Sequence, residues 1–255
     1  MRENRQLIDT DAIPWEPLSA VLQRKVLNGC PDEGPHTLLL RSQARDPGPA
    51  FAQYHSIDEE LYCLDGDFSF DGSTWFRGGS YAFYPAYFVH GANVHVRGGY
   101  LLYLRLSGVS ELFKVDEPAS AVPYYVGEGD ATDYALQLTD AGSSQAISAV
   151  DDAGTVQLTP LHRDAITGKG STILSTTSAG AVRTIEFETS GLLEVFTVSG
   201  RFGLAGGGHL KTHSYHCEVG ERPRVTLECE QGGSLMISHE GELRVTERDA
   251  ASSSG

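Results

Sequence analysis

The sequence predicts an all-β protein built as two tandem sandwich or barrel units related by internal duplication. Three observations carry this reading. Short apolar or alternating runs are punctuated by dense turn signals, with 29 glycines and 11 prolines in 255 residues. Helical periodicity over any long window is nearly absent. Residues of the first half recur in the second at a constant offset of 134 positions.

The strands follow in order. The first half offers His36–Arg41 (HTLLLR), Glu60–Leu64 (ELYCL), Asp67–Phe70 (DFSF), Ser80–Tyr84 (SYAFY) and Tyr100–Leu106 (YLLYLRL). The second offers Val182–Phe187 (VRTIEF), Leu193–Val198 (LEVFTV) and Arg224–Leu227 (RVTL). These runs are rich in Val, Ile, Leu, Tyr and Phe and are closed by Gly, Asp or Ser, the pattern of short half-buried strands. Two short helices are expected, over Ala20–Val26 and over Thr132–Leu138.

The repeat keeps turn glycines and strand side chains in register. Gly34 matches Gly168, Leu40 matches Leu174, Glu60 matches Glu194, and Gly66 matches Gly200. Phe68 matches Phe202, Tyr81 matches Tyr215, and Gly98–Gly99 match Gly232–Gly233. The domain reading is a first unit over residues 1–125, a connector over 126–147, a second unit over 148–248, and a disordered tail over 249–255.

Composition narrows the function classes. A formal net charge of −15 argues against nucleic acid and against anionic membranes, both of which need clustered Lys and Arg. No apolar run approaches the ~18 residues of a membrane span, and the first residues carry no apolar signal segment. A cytoplasmic location is the expectation. Cys30, Cys63, Cys217 and Cys229 form no C-x-x-C pair and are read as reduced thiols.

The chemistry concentrates in two segments of the first half. One runs from Gly48 through Gln53, His55 and Glu59 to Gly66; the other runs from Gly79 through Pro85 and Tyr87 to His90 and Asn93. On a strand Gln53 and His55 share a face. If that face is the barrel interior, Glu59 and His90 can join them from neighbouring strands. Two imidazoles and one carboxylate with open positions form a facial triad suited to non-haem Fe(II), and with water the same set suits Zn(II).

These two segments resemble the paired motifs of the cupin superfamily. The matching spacings are His55 to Glu59, Glu59 to Gly66, Gly79 to Pro85 and Pro85 to His90. The chain departs from the pattern at three places: Gln53 replaces the first histidine of H-x-H, Tyr87 replaces the glycine of P-x-G, and Asn93 falls one residue early. The resemblance implies two tandem jelly-roll β-barrels and one divalent metal per chain, held by His55, Glu59 and His90, with Gln53 either a fourth ligand or a supporting donor. Fe(II) is favoured, and Zn(II) or Mn(II) remains open. Gln-x-His is similar to the zinc site of the phosphomannose isomerase branch. The wider motif style is similar to acetylacetone- and dihydroxyacetophenone-cleaving dioxygenases and to ChrR-type zinc cupins.

At the offset of 134, Gln53 becomes Phe187, His55 becomes Thr189, Glu59 becomes Leu193 and His90 becomes Arg224. Every proposed ligand is lost together, so the second unit is read as a barrel without metal. His209, His213 and His216 form a separate cluster that would need a carboxylate such as Glu218 to hold an ion. Glu60 is read as a solvated neighbour of Glu59, and His36 and His95 as accessory histidines.

Phe51, Tyr62, Trp75, Phe83, Tyr87 and Phe88 are candidates to line a substrate pocket, with Arg41 and Arg105 available to an anionic group. The expected function is an Fe(II) dioxygenase acting on a small carbonyl or aromatic metabolite. A zinc or manganese isomerase, hydrolase or decarboxylase is the second reading, and a non-catalytic metal-containing sensor is the third. The expected partners are a small-molecule substrate and a second copy in a homodimer.

Overall fold

The structure, a computed structural model, describes residues 1–42, 52–70, 74–90, 95–115, 124–126, 135–138, 156–177, 183–229 and 231–249. Among these residues the architecture is all-β, with one short 3-10 turn at Thr10–Ala12 and antiparallel pairing throughout. The two expected helices are strands instead. Leu22–Gly29 pairs with His36–Ser42, and Ala135–Gln137 pairs with Tyr81–Tyr84. Both segments read ambiguously because a short apolar run carries no period of its own; the partner strand decides it. Of the expected tail over 249–255, Asp249 instead ends the strand Arg244–Asp249, and 250–255 lie outside the described residues.

The chain divides into two compact units. The first comprises Met1–Arg2 and Pro14–Ser144, the second Glu3–Ile13 and Gln145–Gly255. This differs from a boundary that keeps all of 1–125 together. Arg5–Asp9 adds an edge strand to Ser214–Gly220 of the second unit. Local sequence marks a strand but not its partner, and this partner is 212 positions away.

In the first unit the main sheet runs Ala135–Gln137, Tyr81–Tyr84, Glu59–Ser69, His95–Leu106, His36–Ser42, Leu22–Gly29, Glu16–Pro17. Facing material comes from Ala52–His55 paired with Leu112–Val115, from Phe88–Val89 paired with Tyr124–Tyr125, and from a bridge joining Gln53 to His90. The interior face carries Leu38, Leu61, Cys63, Phe68, Ala82, Tyr84, Leu102, Leu104 and Leu106. The second unit repeats the plan with a six-stranded and a five-stranded sheet around Leu174, Phe187, Leu193, Phe202, Val225 and Leu235.

The duplication is legible in single contacts. Tyr81 donates to Glu60 at 2.8 Å, and Tyr215 donates to Glu194 at 2.5 Å. Ser80 Oγ accepts from Arg77 N at 3.0 Å, and Ser214 Oγ accepts from Lys211 N at 3.0 Å. Gly66 and Gly200 have φ of 87° and 85°, and each presses on a glycine carbonyl, Gly99 and Gly232 respectively. That last pair shows a one-residue slip from the constant offset in the closing strand, which matches Gly99 to Gly232 rather than Gly233.

All four cysteines are free thiols. Burial pushes the Cys63 thiol up to about 12, with Asp65 and Asp67 adding to the effect.

Candidate metal centre

Glu59 opens the long strand Glu59–Ser69, and His55 closes Ala52–His55 just before it. His90 comes from the turn after Phe88–Val89 and is tied to Gln53 by two backbone hydrogen bonds, 2.9 Å and 2.8 Å. Tyr87 N donates to His55 O at 2.7 Å, joining the two histidine-bearing segments again. Tyr87 stands where the motif has glycine and adopts φ of 66°, the left-handed region a glycine enters freely. The backbone shape is therefore kept although the residue differs. Asp58 Oδ1 accepts from Ala86 N at 3.2 Å, which pins the loop before Glu59 to the loop before His90.

The three side chains converge. One ligand atom from each of His55, Glu59 and His90 lies within 4.8 Å of the others. Glu59 Oε2 is 3.1 Å from His90 Nε2 and 3.8 Å from His55 Nε2. All three are sheltered, and the His90 ring stacks on Tyr84 at 4.1 Å with 2° between planes. Ring orientation is fixed from behind. His55 Nδ1 lies 2.8 Å from the carbonyl of Glu111, and His90 Nδ1 lies 3.0 Å from the carbonyl of Phe88. A carbonyl only accepts, so Nδ1 carries the hydrogen and the neutral ring turns a bare Nε2 toward Glu59.

This leaves Glu59 Oε2 buried without a hydrogen-bond partner. Burial acts to raise the Glu59 pKa. The two histidines facing it outweigh that and hold the carboxyl below its ordinary value. Two imidazole lone pairs and a carboxylate oxygen facing one another are relieved by a cation between them or by a proton on either ring. Ligand atoms that share a divalent ion with bonds near 2 Å stand at most about 4 Å apart, which Glu59 Oε2 meets at 3.1 Å and 3.8 Å from the two Nε2 atoms. His55, Glu59 and His90 could hold it, with the Gln53 side chain at the same cavity.

That cavity has a volume of about 550 Å³ and lies wholly within the first unit. Its walls differ from the expected aromatic lining. Tyr62, Phe83 and Arg105 belong to the opposite face of their strands from Leu61, Ala82 and Leu104. Arg105 Nη1 meets Glu60 Oε2 at 2.6 Å, so Glu60 is a buried ion-paired residue rather than a solvated one. Arg41 hydrogen-bonds Gln23 at 2.8 Å and stacks 4.1 Å over Trp15. Tyr87 is 49% exposed, Phe88 sits in the core beside Tyr84, and neither they nor Trp75 lines the cavity. Phe51 and Asn93 lie outside the described residues, as does the His95 side chain.

Leucines take the place of the expected aromatics: Leu38, Leu40, Leu61, Leu102, Leu104 and Leu106. Phe68, Phe70 and Tyr100 make a smaller aromatic corner, and His36 and Arg24 add polar atoms. His36 is held mainly by its Nδ1 contact to Gly34 O at 2.9 Å, and burial lowers its pKa, with Arg2 and Arg24 adding to the effect. The signal for the leucine wall was present in the alternation of HTLLLR and YLLYLRL, but its inward parity depends on strand register.

In the second unit the corresponding interior is filled. Phe187, Leu193 and Val225 are packed core residues, and Thr189 Oγ1 hydrogen-bonds the Glu240 carbonyl. The pairing Phe187–Val225 matches Gln53–His90, so Val225, not Arg224, is the structural counterpart of His90. Arg224 is an exposed residue ion-paired with Glu188. His216 meets Glu218 at 3.1 Å, and no third ligand joins them among the described residues.

Residues 3–109 match the family model described as the ChrR Cupin-like domain. No curated protein matches the sequence. A Nostoc punctiforme protein, provisionally described as a dioxygenase, superposes with a TM-score of 0.68 at 17% identity, over 98% of this chain and 84% of its own. A Bacillus subtilis oxalate decarboxylase variant gives 0.56 at 9% identity, over 96% and 79%. A Geobacillus kaustophilus protein gives 0.56 at 11%, over 94% and 96%. At these identities the likeness is one of fold.

Proposed function

Because residues 3–109 match a cupin-like family model and the interior of the first unit gathers two histidines and a glutamate, we propose that the protein is a metal-dependent oxygenase of small molecules. His55, Glu59 and His90 are its metal ligands and Gln53 supports them. The observation that carries this is the orphaned Glu59 Oε2 facing two imidazoles whose Nδ1 atoms are already committed to carbonyls. A divalent ion held there supplies Lewis acidity and, as Fe(II), redox chemistry toward O2. The chain's own residues orient the reactants and keep bulk water away with a largely apolar wall. Fe(II) is the favoured metal and a carbonyl compound the favoured substrate class. In this reading the protein is cytoplasmic and a homodimer.

A second reading draws on the ChrR Cupin-like match: a zinc-holding sensor that binds its ligand without turnover. Protein purified without oxygen and analysed for its elements separates the two. One equivalent of iron with O2 uptake on carbonyl substrates supports the oxygenase. One equivalent of zinc with ligand binding and no consumption replaces it with the sensor. His90→Ala should abolish stoichiometric metal while the exposed Arg224→Ala leaves it intact. Full metal in His90→Ala removes the site altogether.

A further inference from the structure

The walls of the cavity say more than the ligands do. Strand register sets its interior in rows. His36, Leu106 and Glu59 form the row at the candidate metal end. The next row inward along the strands is Leu38, Leu104 and Leu61, and beyond it Leu40 and Leu102 meet Cys63. Two residues of rise separate successive rows, so from Leu106 to Leu102 the aliphatic surface extends about 13 Å away from the glutamate. The side chains at these rows are flexible, branched and unable to form the parallel faces that clamp a flat ring. Polar groups flank this leucine stretch at both ends: His36, Gln53 and the candidate ligands at one, Arg24, Ser42 and the Tyr100 hydroxyl at the other.

We propose that the substrate carries an unbranched aliphatic chain, with an oxygen-bearing head group at His55, Glu59 and His90 and its methylenes along the Leu106, Leu104, Leu102 wall. This rests on the metal reading for the position of the head group only. An aromatic ketone or phenol would leave most of that leucine surface without a partner. A chain would bury it, and each methylene transferred from water to such a wall strengthens binding about fourfold.

Saturated monocarboxylates from butanoate to decanoate are the probes, titrated calorimetrically into the full chain loaded with metal. The dissociation constant should fall about fourfold with each methylene and then level off where the cavity is filled. Leu102→Phe should move that levelling point to shorter acids while butanoate binding stays the same, which also shows that the variant is folded. Leu40→Phe, on the paired strand, is the second test of the same boundary. His90→Ala should weaken every member of the series by a similar factor and keep the slope.

A flat series on protein that holds a full equivalent of metal overturns this inference and leaves the metal reading intact. A steep series on wild-type protein that takes up no metal does the reverse. A levelling point indifferent to both phenylalanine variants puts the chain elsewhere and also overturns it, as does a series whose affinity His90→Ala leaves untouched.

Discussion

Glu59 and Glu60 are adjacent and chemically identical, and the pleat gives them opposite surroundings. Glu59 turns into the cavity toward two imidazoles. Glu60 turns to the other face, where Arg105 and Tyr81 satisfy its two oxygens. The Tyr81 hydroxyl is held well above its ordinary pKa by burial and by the charge of Glu60, so it remains a donor. Removing one member of such a buried pair strands the other. Glu60→Gln should therefore cost about 3–5 kcal/mol in urea unfolding, while Glu60→Met combined with Arg105→Leu should recover most of it. Metal content should follow stability rather than disappear, because Glu60 is no ligand. The ligand triad was legible because metal chemistry fixes residue type and spacing together. Parity alone excludes Tyr62, three places from Glu59. Excluding Phe83 and Arg105 needed the pairing of distant strands, which a single sequence does not state.

At the level of the strand, Gly66 within Glu59–Ser69 shows why glycine recurs at the same place in both halves. Its φ of 87° suits no L side chain well, and a Cβ there would stand 2.1 Å from the Gly99 carbonyl oxygen. Gly66→Ala should cost at least about 2 kcal/mol, read as a lowered urea midpoint. Gly98, with open space around its Cβ direction but a φ of 103°, should show a smaller loss as Gly98→Ala. Glycines of this kind made the repeat visible in the sequence. The one-residue slip in the closing strand was hidden because Gly98–Gly99 and Gly232–Gly233 are doublets, and either alignment matches a glycine. The expected helices failed for a related reason. Seven apolar-rich residues can be either element, and Leu22–Gly29 becomes a strand because His36–Ser42 offers it an edge.

Across the whole molecule, one half keeps a cavity with its histidines and glutamate, and the other fills the same positions with Phe187, Leu193 and Val225. The two-unit, all-β plan was legible from turn density and repetition. The membership of Glu3–Ile13 was not, since nothing local in RQLID names Ser214–Gly220 as its neighbour. Deleting residues 3–13 should lower the hydrogen-exchange protection of Ser214–Gly220 and Gly191–Ser199 well before that of Glu59–Ser69. Equal loss in both units would contradict the assignment.

The same edge strand bears on how the chain is made. Arg5–Asp9 leaves the ribosome long before its hydrogen-bonding edge, Ser214–Gly220, is synthesised. Until then a strand with unmet backbone donors and acceptors must wait, exposed to whatever other edges are nearby. Renaturation should therefore include a slow phase belonging to this late zippering, and crowding of nascent copies should divert some of them into strand exchange between molecules.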